Sequence, residues 1–102
     1  MSTGPDADLT RETACNLRDL IADGSVSPVE VLDAHLDAIE RRNPALNAIV
    51  TLDADAARDT AKTAEAQVQA EEPIGPLHGL PIVIKDVTPT AGMRTTYGCP
   101  VY

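Results

Sequence analysis

The sequence contains no tryptophan and no phenylalanine, and its two tyrosines, Tyr97 and Tyr102, sit near its C-terminal end. Nearly the whole chain therefore lacks a ring that could stack on a nucleobase or anchor an aromatic hot spot. Positive charge is scarce as well. Eight Lys and Arg stand against 16 Asp and Glu, a net charge of −8, and lysine occurs only as Lys62 and Lys85. Phosphate backbones and anionic bilayers are bound by clustered Lys and Arg, so neither nucleic acid nor a membrane is an expected partner. Cys15 and Cys99 make no disulfide scaffold, and no apolar run nears the ~20 residues that a membrane-spanning helix needs. The opening MSTGPDADLT is acidic and polar, the reverse of a secretory signal, which makes the cytoplasm the expected compartment. No group of His, Cys, Asp and Glu has metal-ligand spacing, and no metal is expected.

What is present suits a soluble globular chain of one small domain, or a piece of a larger one: 43% of its 102 residues are apolar. Residues 1–8 read as a flexible start, and residues 9–102 as the structured segment. A first helix is expected over 10–23, with Ala14, Leu17, Leu20 and Ile21 at helical spacing and Gly24 as its left-handed stop. Ser27, Pro28, Val29 and Glu30 spell a capping box with proline at the first helical position, and Val26 and Val31 are spaced as a hydrophobic staple. The second helix is expected to run to about Arg42, with Leu32, Leu36 and Ile39 inward, and to stop at Asn43 and Pro44. A third helix is expected from the capping Asp53 to Glu71, with a shallow stripe of Ala57, Ala61, Ala64 and Val68.

Two segments read as strands, 46–52 and 80–87. In the second, Leu80, Ile82, Ile84 and Asp86 alternate with Pro81, Val83, Lys85 and Val87. Both faces are apolar, which is the pattern of a strand covered on both sides. Such a strand would carry Lys85 and Asp86 at its end, where burial lowers a lysine's pKa towards that of a usable base. The competing reading is that both residues emerge into water. Beyond Val87 the text is rich in Pro, Gly and Thr, a length of irregular chain that looks as if it stops in mid-structure.

The run Gly75-Pro76-Leu77-His78-Gly79-Leu80-Pro81-Ile82-Val83-Ile84-Lys85-Asp86, followed by Thr90-Ala91-Gly92 and Thr95-Thr96-Tyr97-Gly98, closely resembles the N-terminal part of the amidase signature family. Ser27 to Glu30 and Asn43 to Ala48 resemble the same family's second helix and first strand. The resemblance implies an α/β fold, of which this chain supplies the N-terminal part of a mixed β-sheet covered by helices, with about three helices and two strands. It implies hydrolysis of a carbon–nitrogen bond in a small-molecule amide by a Ser–Ser–Lys triad, without cofactor. By motif match the triad lysine is Lys85. The family's two serines lie further downstream, and Ser2, Ser25 and Ser27 are in no such context, so the chain by itself is expected to be inactive. One departure is Cys99, where the family commonly has serine. A thiol nucleophile served by His78 is conceivable, but no spacing supports it.

Two alternatives remain at this point. One is the A subunit of the glutamyl-tRNA(Gln) amidotransferase, although that subunit more usually has Asn where Val87 stands. The other is a non-catalytic fragment that binds other proteins, whose unpaired sheet edge would self-associate. The sequence leaves the oligomeric state open. His78 reads as a turn residue, His35 as helix surface, Lys62 as part of a surface pairing with Asp59 and Glu65, and Cys15 as core or flank.

Overall fold

The computed structural model describes residues 8–101, so most of the expected flexible start, and Tyr102, lie outside the described residues. A single 3-10 turn, Leu9–Arg11, precedes three helices: α1 (Ala14–Ala22), α2 (Pro28–Leu46) and α3 (Ala54–Gln69). Each helix begins where a side chain can take up its free N–H groups. The Thr13 hydroxyl accepts from Asn16 N at 3.1 Å, and Asp53 Oδ1 accepts from Ala56 N at 3.0 Å. The capping box is complete: Ser27 Oγ accepts from Glu30 N at 3.0 Å, while Ser27 N donates to Glu30 Oε1 at 3.3 Å. Gly24, at φ +82°, ends the first helical segment as expected.

The core is small and lies between α1 and the start of α2. Leu17, Leu20, Ile21, Val26 and Val31 form its buried cluster, with Leu9, Val68 and Leu80 packed against it. Both members of the expected staple are in this cluster, whereas Ala14 and Cys15 at the start of α1 are exposed. α3 lies against α2 through its alanine stripe, in which Ala61 and Ala64 are buried and Ala57 and Val68 half-buried. The small side chains allow close approach but bury little area. An ion pair between Arg58 Nε and Asp33 Oδ1, at 3.2 Å, spans the two helices at the surface.

The exits of α2 and α3 depart from expectation, and α1 starts at Ala14 rather than at residue 10. α2 does not stop at Asn43 and Pro44 but continues to Leu46, because a proline in the last turn forfeits a single hydrogen bond and leaves the remainder of the turn intact. Asn47, at φ +51°, ends it with its N–H on Asn43 O. α3 ends in a Schellman arrangement, with Glu72 N on Gln67 O and Glu71 N on Val68 O, and Glu71 occupies the left-handed position at φ +58°.

The expected α/β architecture is not what forms. The described residues contain no strand and no sheet, and the fold is three helices followed by irregular chain. A strand exists only through a ladder with a neighbour, and neither expected strand has one. In 46–52, the backbone of Ile49 is instead taken by a side chain: Asn43 Nδ2 donates to Ile49 O at 2.8 Å, and Ile49 N donates to Asn43 Oδ1 at 2.9 Å. In 80–87, Ile82, Val83, Ile84 and Val87 are all exposed on both faces of the expected strand. The sole bridge among the described residues is the isolated pair Thr90 and Met93.

Candidate active site

Lys85 is reached through a loop that is fastened to the helices at three places. His78 bonds through Nε2 to Ala64 O in α3 at 2.9 Å, and Leu80 packs on the core cluster. Gly79 comes closest of all. It has φ +81°, and a Cβ there would lie 2.9 Å from Pro28 Cγ and 3.3 Å from two carbons of Ile21. Only glycine fits both the conformation and the space. The Gly-Leu-Pro step is therefore what lays the chain leading to Lys85 across the α1–α2 core.

Past this anchor the chain leaves the core, and Lys85 is exposed. The desolvated ammonium at the end of a covered strand, expected from the apolar alternation, is absent from the described residues because no sheet covers 82–84. Lys85 opens a turn, in which Thr88 N donates to Lys85 O at 3.0 Å.

The next residue is far better held. Asp86 Oδ1 accepts from Thr96 N at 2.8 Å, the Thr96 hydroxyl donates to Asp86 Oδ2, and Tyr97 N donates to Asp86 O at 2.9 Å. The Thr96 hydroxyl also accepts from Gly98 N at 3.2 Å. Thr96 to Cys99 make a tight turn closed by Cys99 N on Thr96 O at 3.0 Å, with φ +56° at Tyr97 and +67° at Gly98. Positive φ at both central positions is the type I′ geometry, which is uncommon for a residue as bulky as tyrosine. The Thr96 hydroxyl, the Thr96 N–H, the Gly98 N–H and the Arg94 charge together hold the Asp86 carboxyl below its ordinary range, against a smaller opposing effect of burial. Sequence reading singled out Lys85 and missed this fastening. Its signal was present in Thr95-Thr96-Tyr97-Gly98, two hydroxyl residues ahead of a turn pair.

The remaining candidates are dispersed. Ser27 Oγ is spent on the α2 cap, and Ser25 N is bonded to Asp23 Oδ1 at 2.8 Å in the same connection. His78 holds a helix carbonyl through Nε2, so that nitrogen is not offered to the half-buried thiol of Cys99. His35, half-buried, bonds through Nδ1 to Val31 O at 2.7 Å within its own helix. Among the described residues no group of His, Cys, Asp and Glu is arranged to hold a metal, and no helix is long and apolar enough to cross a membrane. An open groove of 440 Å³ runs between α2 and α3, lined by residues such as Leu36, Ile39, Asn43, Pro44 and Arg58. No residue beyond Arg58 lines it, so it is not part of the Lys85 region.

The model of the amidase family matches residues 30–102, which take in all but the first two residues of α2, all of α3, the Gly-Leu-Pro anchor and the whole of the Lys85 loop. The chain belongs to the amidase family. Among its relatives in that family, the glutamyl-tRNA(Gln) amidotransferase A chain of Acidothermus cellulolyticus is 44% identical over 95 residues, 93% of this chain and 19% of that protein. The protein of the same name from Rhodopseudomonas palustris is 49% identical over 89 residues, 87% of this chain and 18% of that protein. An acylamidase of Rhodococcus erythropolis is 38% identical over 78 residues, 76% of this chain and 16% of that protein. The chain thus spans less than a fifth of the length of these amidase-family relatives. No solved structure matches it.

Proposed function

We propose that the chain is the lysine-bearing segment of an enzyme that hydrolyses the carbon–nitrogen bond of a small amide, with Lys85 as the proton-transferring base. The observation that carries this reading is the family match across residues 30–102, which contains the Lys85–Asp86 step intact. Deprotonated Lys85 Nζ would take a proton from one serine hydroxyl, which in turn deprotonates a second serine as it attacks the amide carbonyl. The ammonium then returns the proton to the departing amine, and water releases the acyl group by the same route. Both serines would come from sequence outside these residues, since the three in this chain, Ser2, Ser25 and Ser27, follow no such pattern. A neutral lysine at physiological pH requires desolvation, and the exposed apolar 82–84 segment is the surface on which a covering layer would provide it.

The test uses the full-length polypeptide, with ammonia release from benzamide and from glutamine as readouts. Lys85→Met is expected to lower kcat by roughly 10²–10⁴-fold, the usual worth of a positioned base. Turnover equal to the parent in that variant would remove Lys85 from the mechanism.

A second reading is favoured by the relatives' names: this is the corresponding segment of an amidotransferase, which releases ammonia from glutamine within an assembly. Several relatives at 40–49% identity carry that name, against 38% for the acylamidase. Glutamine-specific release that rises on adding the other subunits supports this reading. Release from benzamide by the unaccompanied polypeptide supports the acylamidase-like one.

A further inference from the structure

The stretch 85–98 closes upon itself like an Ω-loop, and the fastening is placed on the residue next to the lysine. On the approach side, 82–84 is exposed and gives Lys85 no support. On the far side, Lys85 O is bonded to Thr88 N, and Asp86 is gripped through its carbonyl and both carboxylate oxygens. Thr96 contributes its N–H and its hydroxyl to that grip, and the same hydroxyl receives Gly98 N–H, which ties the left-handed Tyr97–Gly98 turn into the closure. A lysine side chain has four rotatable bonds, so the placing of its amine begins with the fixing of its root.

We infer that Asp86 and Thr96 are the positioning pair for Lys85: their latch fixes the peptide that carries the lysine and so sets where its amine can reach. This rests on the reading of Lys85 as base. Thr96 touches no reacting atom; it acts through Asp86 and the backbone. Loss of the latch leaves amide binding intact and moves the base off its mark, and a misplacement of about 1 Å costs on the order of 10²-fold in rate.

The experiment compares Thr96→Val, which keeps shape and removes the hydroxyl, with Thr96→Ser, which keeps the hydroxyl, and with Asp86→Ala, all in the full-length polypeptide with benzamide and glutamine. Thr96→Val and Asp86→Ala are expected to lower kcat about 10–10²-fold with KM within about twofold. Thr96→Ser is expected to recover kcat to within about threefold, and the double variant to fall no further than the worse single one. Lys85→Met, measured alongside, separates the two failures. Parental turnover in Lys85→Met overturns the base reading, whereas loss there with parental kcat in the latch variants overturns the positioning pair alone. Amide exchange gives a readout independent of activity. In Thr96→Val, exchange at Thr96 and Tyr97 is expected to quicken about tenfold or more while the α1–α3 amides hold. Unchanged exchange at those two amides, or equal quickening in the helices, overturns the latch.

Discussion

At the scale of single residues, charge and hydrogen bonding meet most closely at Asp86. Its carboxyl titrates below the ordinary value because the ionised form is the one that accepts the Thr96 hydroxyl and N–H, helped by Gly98 N–H and the Arg94 charge. The linkage follows from that direction. A depressed folded-state pKa contributes stability that is fully present above the unfolded carboxylate value of about 4, and that is lost as pH falls through the lower folded value. Protection of the Thr96 and Tyr97 amides is therefore expected to stay level from neutrality down to about pH 5 and to decline below about pH 4. Asp86→Asn, which has no charge to lose, should show a lower and flat protection over the same interval. Asp8 and Asp23 are shifted in the same direction, by Thr10 and Ser25 respectively, but they sit before and after α1, and their titration reaches parent and variant alike. Protection in the parent that persists undiminished to about pH 2 would show that the carboxylate does not govern the closure.

At the scale of elements, the starts of α2 and α3 were legible and their ends were not, whereas for α1 the stop at Gly24 was legible and the start at Ala14 was not. Ser27, Glu30 and Asp53 act on amides three residues away, so short-range text was sufficient to place the starts of α2 and α3. The exit of α2 turns on Asn47 and on the six-residue reach from Asn43 to Ile49, neither visible in a reading that let Pro44 decide. The exit of α3 puts Glu71 in a left-handed conformation with no local signal for it, since glycine is the residue that such a position selects. That placement is open to test. A side chain with a Cβ costs roughly 1–2 kcal/mol in this conformation, and glycine gives back part of the gain through its freedom in the unfolded chain. Glu71→Gly is expected to raise stability by about 1 kcal/mol, seen as a higher denaturant midpoint at unchanged slope. A lower midpoint would mean that the Glu71 side chain contributes more than its backbone costs. The two expected strands failed for a different reason. Alternation in 80–87 reports only the residues' own hydrophobicity, whereas a strand needs a hydrogen-bonding neighbour, and none of the described residues supplies one. For the candidate site the sequence drew attention to Lys85 and its neighbour through the family resemblance, whereas the fastening from Thr96 spans ten residues of irregular chain, beyond the reach of periodicity.

At the scale of the whole molecule, the chain carries more apolar surface than its core can take in. The radius of gyration is 14.9 Å, against about 13 Å for a compact domain of this length, and the buried cluster draws on five residues of α1, the connection after it and the start of α2. Ile82 and Val83 are each 76% exposed, Leu77 72%, and Ile84 and Val87 about half exposed, and the first four lie within eight residues of sequence. Within that span, Ile82, Val83 and Ile84 are all β-branched, precede Lys85 without a charge and expose apolar side chains on either side of the backbone, so this short stretch is a template for pairing with another chain. The net charge of −8 opposes association at low salt, and screening shortens that repulsion to about 8 Å at physiological ionic strength. The 102-residue polypeptide is therefore expected to run near its monomer mass at low salt and to gain mass in light scattering as salt or concentration rises. Ile82→Lys together with Val83→Glu places opposite charges on the two faces without touching the helical core, and should keep the species monomeric under the same conditions. If the doubly substituted chain associates as the parent does, the contact lies elsewhere, and the apolar groove between α2 and α3 becomes the surface to alter next.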